Sequence, residues 1–179
     1  MAHFVLTVIG DDRPGLVAEL SAPITAHGAS WERSQMSHLG GKFAGILLLE
    51  VAADRADALA GELTALEGLE VLLESAGGDT STEAPTSFTL DLLGDDRPGI
   101  VAEISAALAE RGVSIEELET GVRDAPMAGG TLFEAHAVLA APAGLRPEEL
   151  NAALEALADE LMVDLELTQG AEGTEVAGG

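Results

Sequence analysis

The chain contains no cysteine. That absence removes disulfides, thiolate metal sites and a cysteine nucleophile together. It also contains no tyrosine, and Trp31 is its only tryptophan. With aromatics at 3% of 179 residues, the core has to be built from Leu, Val, Ile and Ala. Cations are equally scarce. Eight Lys and Arg stand against 32 Asp and Glu, a formal net charge of −24. Lys42 is the only lysine and the seven arginines are dispersed, so no basic patch exists to hold a phosphate backbone. Direct nucleic-acid binding is disfavoured, and the acidity reads as a solvated surface. Long apolar runs are missing too. Nothing approaches the roughly 18 residues of a membrane helix, and the apolar stretch near Met1 is too short and lacks the basic lead-in of a secretory leader. A cytoplasmic location without membrane insertion is expected.

What is present is enough apolar material for a real core, 47% of the chain, and an internal repeat. Gly10-Asp11-Asp12-Arg13-Pro14-Gly15-Leu16-Val17-Ala18-Glu19-Leu20-Ser21-Ala22 returns 84 residues later as Gly94-Asp95-Asp96-Arg97-Pro98-Gly99-Ile100-Val101-Ala102-Glu103-Ile104-Ser105-Ala106. Only Leu-to-Ile exchanges separate the two blocks, and the match continues at Gly28/Gly112, Ser30/Ser114 and Glu32/Glu116. The chain is a duplicated unit, each copy small but of foldable size. The expected organisation is a first domain over 1–76, a linker over 77–86, a second domain over 87–168 and a disordered tail over 169–179, the linker and tail being rich in turn formers without apolar periodicity.

Each copy reads alike. Phe4, Leu6 and Val8 alternate with their neighbours, as do Phe88, Leu90 and Leu92, which predicts strands. A helix follows, with Leu16, Val17, Leu20 and Ile24, or Ile100, Val101, Ile104 and Leu108, at helical spacing. Gly28 and Gly112 suit the left-handed position past its end, and Pro23 is expected to kink or shorten the first copy's helix. Two strands come next, 30–38 and 42–52, then 113–123 and 131–140, with six extra residues around Asp124 to Gly130 in the second hairpin. A second helix (53–66, 147–161) and a last strand (70–75, 163–168) complete the order βαββαβ. The fold class is therefore α+β: two ferredoxin-like units, each an antiparallel four-stranded sheet with two helices on one face.

This order, with Asp-Arg-Pro-Gly followed by Leu/Ile-Val at the first strand-to-helix turn, resembles the ACT domain over both repeats. Two such domains in tandem resemble the glycine cleavage system transcriptional repressor family, as does the hairpin Ala125-Pro126-Met127-Ala128-Gly129-Gly130-Thr131-Leu132-Phe133-Glu134. The resemblance implies amino-acid binding at interfaces between ACT domains, through the first turn and the second strand, and side-by-side pairing of domains into a continuous sheet.

The residues of the turn support such chemistry. Asp12 and Asp96 suit an N-cap, with Arg13 at N1 and Pro14 at N2, and Asp11 and Asp95 favour the helix dipole. Gly15 and Gly99 allow close approach. Helix-start amides suit a small carboxylate and an acidic side chain suits an ammonium group, the two charges of an α-amino acid. A helix cap alone would not need the arginine. The expected ligand contacts are Asp11, Asp12, Arg13, Pro14, Gly15, Leu16, Gln35 and Met36 (beside Ser34), and Asp95, Asp96, Arg97, Pro98, Gly99, Ile100, Glu119 and Thr120.

No catalytic constellation competes with this reading. His3, His27, His38 and His136 form no His-x-x-x-His or Glu-x-x-His pair, although His3 and His38 are candidates to meet across neighbouring strands. There is no Gly-x-Ser-x-Gly elbow and no phosphate loop. The expectation is a non-catalytic regulatory protein without cofactor or metal. It senses a glycine- or serine-like amino acid, pairs as a homodimer and modulates a protein partner, with transcriptional control of amino-acid metabolism in view. A protein-interaction module without ligand binding is the alternative.

Overall fold

The computed structural model describes residues 1–77, 85–125 and 129–170. The chain divides into two compact units, Met1–Thr80 and Ser81–Gly179. The first contains β1 (Ala2–Asp11), α1 (Leu16–Ala26), β2 (Ser30–Leu39), β3 (Lys42–Val51), a 3-10 turn at Ala53–Arg55, α2 (Ala56–Thr64) and β4 (Leu69–Ser75). The second contains β5 (Thr86–Asp95), α3 (Ile100–Ala109), β6 (Ser114–Asp124), β7 (Thr131–Ala141), α4 (Pro147–Leu161) and β8 (Val163–Gln169). The sheets have the orders β2-β3-β1-β4 and β6-β7-β5-β8, antiparallel throughout. Both units are thus ferredoxin-like βαββαβ folds.

Alternation decides which face of each sheet is buried. Leu6 and Val8 of β1 and Leu47, Leu49 and Val51 of β3 meet Leu16, Leu20 and Ile24 of α1 and Leu59 and Leu63 of α2 in one core. Phe88, Leu90 and Leu92 meet Ile100, Ile104, Leu108, Leu150 and Leu154 in the other. Each core draws on residues of its own unit. Each fully buried Leu or Ile contributes roughly 1.5–3 kcal/mol, so aliphatic side chains supply most of both cores, although Phe43, Phe88 and Phe133 are buried with them, beyond the aliphatic core expected from composition.

Both copies place a β-bulge at the same point of the edge strand, between Trp31 and Arg33 and between Ile115 and Glu117. The extra residues are Glu32 and Glu116, which the repeat had marked. A bulge bends an edge strand and blunts it against unwanted pairing.

Several details depart from the expected pattern. The second helix of the first unit opens with a 3-10 turn and ends at Thr64 rather than Leu66. Pro23 lies inside α1, yet α1 has 11 residues against 10 for α3, so the proline does not shorten it. Seven helical residues precede Pro23, and its buried ring packs into the core while its carbonyl accepts from His27 N–H at 3.0 Å. Gly28 and Gly112 take left-handed φ values of 67° and 69°, as expected. Strand β5 begins at Thr86, inside the expected linker, and β8 extends to Gln169, inside the expected tail. The remainder of both segments, and the centre of the enlarged hairpin, lie outside the described residues.

Candidate functional site

The repeated turn sits at the end of each sheet where β1 meets the β2–β3 hairpin. Asp11, the last residue of β1, pairs in register with Lys42, and Asp12 N–H donates to Gly41 O at 3.0 Å. In the second unit Asp95 pairs with Leu132, and Asp96 N–H donates to Thr131 O at 2.9 Å. The backbone of the motif is therefore tied to the hairpin before the helix starts.

The helix starts later than expected. Asp12 and Asp96 are not the N-caps. The residues before α1 and α3 are Gly15 and Gly99, with φ of 96° and 100° and no side-chain cap. Positive φ is what only glycine adopts without strain, and it turns the chain sharply, which leaves Arg13-Pro14 and Arg97-Pro98 outside the helix. The first helical bonds are Glu19 N–H to Gly15 O, 3.0 Å, and Glu103 N–H to Gly99 O, 2.9 Å. The amides of residues 16–18 and 100–102 precede them and are the helix-start donors available to a small acceptor.

The arginine has an intramolecular partner that the motif reading missed. Arg13 reaches Glu19 with both terminal nitrogens, one donating to Oε2 at 2.6 Å and the other to Oε1, and also donates to Glu67 O at 3.4 Å. This hydrogen bond holds the Glu19 carboxyl below its ordinary range and raises the Arg13 guanidinium. Arg97 makes the same pair with Glu103, more loosely, at 3.4 and 3.3 Å. The signal was in the sequence, since Glu19 and Glu103 fall inside the identical block six residues after the arginine.

The second-strand candidates divide between two faces. Gln35 and Met36 are consecutive in β2, so their side chains point to opposite sides. Met36 lies on the helix face, opposite Gly45 and against the core, and Gln35 on the outer face, opposite Ile46. Thr120 and Glu119 divide in the same way, opposite Ala135 and His136. Of the four, Met36 and Thr120 share a face with Leu16 and Ile100 at the starts of the helices, and Gln35 and Glu119 do not. The helix-face residues next along each strand are Ser34 and Leu118, opposite Leu47 and Ala137.

Charge distinguishes the copies. Lys42 pairs with Asp11, and the hydrogen bond lowers the aspartate's pKa and raises the lysine's. Leu132 takes the place of that lysine in the second unit, so Asp95 lacks this counter-charge. On the outer face of that unit, His136 Nδ1 lies 2.7 Å from Asp91 Oδ1. The hydrogen bond to Asp91, with Glu119 and Glu117 nearby, pushes the imidazole pKa up.

The histidines do not assemble. Strand β3 separates β1 from β2, so His3 and His38 are not on neighbouring strands. His3 faces Glu32 at 3.4 Å and His27 faces Glu62 at 3.3 Å. Among the described residues no group of three or more His, Asp or Glu is placed to hold a metal, and no helix is long and apolar enough to cross a membrane.

Each ferredoxin-like unit carries a glycine-hinged Asp-Arg-Pro-Gly turn at its first strand-to-helix junction, which marks both as copies of one kind of module. Family models of the ACT domain match residues 2–73 and again 88–159, and the chain belongs to the ACT-domain family, with two domains in tandem. It is 34% identical to an unknown protein from Galdieria sulphuraria whose crystal structure superposes with a TM-score of 0.85, covering 95% of this chain and 99% of that one. A UPF0237 protein of Methanopyrus kandleri is 37% identical over 79 residues, 44% of this chain and 83% of the relative. A crystal structure provisionally described as a glycine cleavage system transcriptional repressor shares the fold, with a TM-score of 0.69 over 96% of this chain and 98% of that one, at 18% identity.

Proposed function

We propose that this tandem ACT protein is a non-catalytic sensor of a small amino acid, of the size of glycine or serine, that modulates a protein partner in the cytoplasm. The observation that carries the reading is the duplicated turn. In both copies the glycine-released helix-start amides, a donor site for a carboxylate, follow within a few residues of Asp12 or Asp96, an acceptor for an ammonium group. Asp12, Gly15 and Leu16, with Asp96, Gly99 and Ile100, are the proposed contacts, while Asp11 and Asp95 lie on the outer face opposite Lys42 and Leu132. Pro14 and Pro98 shape the turn, and Met36 and Thr120 approach from the edge strand. Arg13 and Arg97 act by bracing the turn through Glu19 and Glu103. No cofactor is required. Edge strands β2 and β6 carry the proposed pairing into a homodimer. Binding would bias one assembly over another by differential affinity, and transcriptional control of amino-acid metabolism would act through that partner. Contact with DNA is not part of the proposal at a net charge of −24.

Calorimetry against the twenty amino acids tests the reading. Heat from one or a few of them at millimolar concentration or below is expected, and silence from all would end it. A ligand-free interaction module is the second reading, favoured by one fact: Glu19 already engages both terminal nitrogens of Arg13. A partner captured equally well with and without amino acids would select it.

A further inference from the structure

The outer faces of the two sheets, turned away from the helices, carry different residues. In β1 the core takes Leu6 and Val8, so Thr7 points outward between Ile46 of β3 and Leu72 of β4. Gln35 of β2 extends this row beyond Ile46. In the second unit Asp91 stands where Thr7 does, and its row reads Glu119, His136, Asp91 and Glu166. Every position of the row is uncharged in one copy and titratable in the other.

Exposure follows the same division. On the first sheet's outer face Ile9, Ile46 and Leu72 are 44%, 48% and 56% exposed, with Val5 and Leu48 half-buried beside them. The carboxylates of that face keep to its margin, Glu70 and Glu74 on edge strand β4 and Glu50 near the end of β3. An apolar centre inside a charged rim is the pattern of a contact surface. Among the described residues of the second unit, none of the exposed large apolar side chains lies on the outer sheet face. Leu118 and Val122 alternate onto the helix side, Val101 is in α3 and Met162 follows α4.

We propose that the outer face of the first sheet is a contact surface for the same face of a second copy of this chain, sheet against sheet about a two-fold axis near Thr7 and Ile46. This interface is separate from the pairing through edge strands β2 and β6 and does not rest on ligand sensing. Charge selects the occupant. At a net charge of −24 two copies repel over most of their surface, and in this row neutral residues meet neutral residues. A second-unit face would have to strip Asp91, Glu119 and Glu166 of water in such a contact. A basic partner would find no carboxylate in the row to pair with. Size sets the strength. Four strands with seven paired residues along β4 span about 19 Å by about 24 Å. Two such faces bury roughly 900 Å², below the range of about 1,200–2,000 Å² typical of stable interfaces. The dimer is therefore weak and concentration-dependent.

Sedimentation of the full chain between about 5 µM and about 500 µM reads this association. Thr7→Asp and Leu72→Glu import residues with which the second copy already folds, and Leu72→Gln adds no charge. We expect the parent's mean mass to rise with concentration towards twice its dilute value. Thr7→Asp and Leu72→Glu should weaken the association at least tenfold, and Leu72→Gln several-fold. Thr7 and Leu72 are exposed, so melting temperatures at low concentration should stay close to the parent's. Glu166→Gln, on the second unit's outer face, should leave the association within twofold. Salt from about 0.05 M to about 0.5 M should tighten it, because the repulsion between copies is screened. The same mass for parent and variants at every concentration overturns the proposal. So does an association that survives all three first-unit substitutions, which runs through another surface, or one that salt weakens, which is an ionic contact.

Discussion

Gly10 and Gly94 open the repeated block, and each allows the end of a central strand to touch the start of its outer neighbour. A Cβ on Gly10 would stand 2.3 Å from Gly68 O and 2.7 Å from Leu69 Cδ2, and one on Gly94 would stand 2.4 Å from Val163 Cγ1. Neither contact can relax by rotating a surface side chain, because backbone or a β-branched residue meets the new methyl. Gly10→Ala and Gly94→Ala should each cost about 1–3 kcal/mol of stability in urea unfolding. Gly61→Ala, at an exposed position of α2 with nothing within 4 Å, should instead gain about 0.5–1 kcal/mol. Repetition marked Gly10 and Gly94 in the sequence, but their reason was hidden, since only the folded sheet brings Gly68 and Val163 against them. His136 is the other residue whose environment sequence could not reveal. Its partner Asp91 lies 45 residues away and meets it through strand register. The imidazole pKa is raised above its unfolded value of about 6.5. The pair therefore stabilises the fold fully below that unfolded value, and the contribution is lost as pH rises through the folded one. Proton NMR titration should show His136 titrating above the ordinary histidine value, and Asp91→Asn should bring it down.

Elements were more legible than single residues where periodicity ran long. α4 was predicted to its terminal residues, Pro147 and Leu161, because Pro at the first position and a sustained apolar stripe fix both ends. The starts of α1 and α3 were misplaced by three residues. Aspartate before Arg-Pro matches an N-cap pattern, and so does glycine before Leu-Val; only the φ near +100° at Gly15 and Gly99 decides between them. The second-strand candidates divide between two faces for a related reason. A one-residue bulge at Glu32 or Glu116 shifts the alternation, and Gln35 and Met36 were read together although a strand must separate them. Pro23 offers a test at this scale. It removes one helical hydrogen bond and crowds the preceding turn, while the second copy carries Ala107 at that position. Pro23→Ala should stabilise the first unit by roughly 1 kcal/mol, the recovered bond outweighing the added freedom of the unfolded chain. Thermal unfolding with far-ultraviolet dichroism would measure it, and a lower midpoint would mean that ring packing in the core dominates.

For the molecule as a whole, two separate aliphatic cores imply two folding units. Residues 1–77 and 85–170, expressed apart, should each unfold cooperatively, because neither core cluster borrows a side chain from the other copy. Charge acts on both units at once. A net charge of −24 makes the compact state repel itself, and among the resolved shifts only Asp11 and Glu19 have lowered carboxyl pKa values, each through one cation. The screening length falls from about 30 Å at 0.01 M salt to about 10 Å at 0.1 M, a change that spans the dimensions of one such unit. Melting temperature should therefore rise with sodium chloride over this range, by several degrees on the scale of domains this size. The pH dependence follows from the same inventory. Falling pH from 8 towards 5 charges His136 against Asp91 and begins to neutralise the carboxylate excess, so stability should increase. Asp11 and Glu19 contribute above the unfolded carboxylate pKa and lose that contribution as pH falls through their lowered folded values, so the gain should reverse in acid. Glu19→Gln removes one of these two paired carboxylates, so the variant should be less stable near neutrality and lose less stability than the parent as pH falls through the carboxylate range. Differential scanning calorimetry of both proteins from pH 8 to pH 3 at fixed ionic strength decides it: coincident acid limbs would show that the Arg13–Glu19 pair adds nothing to the stability of the turn.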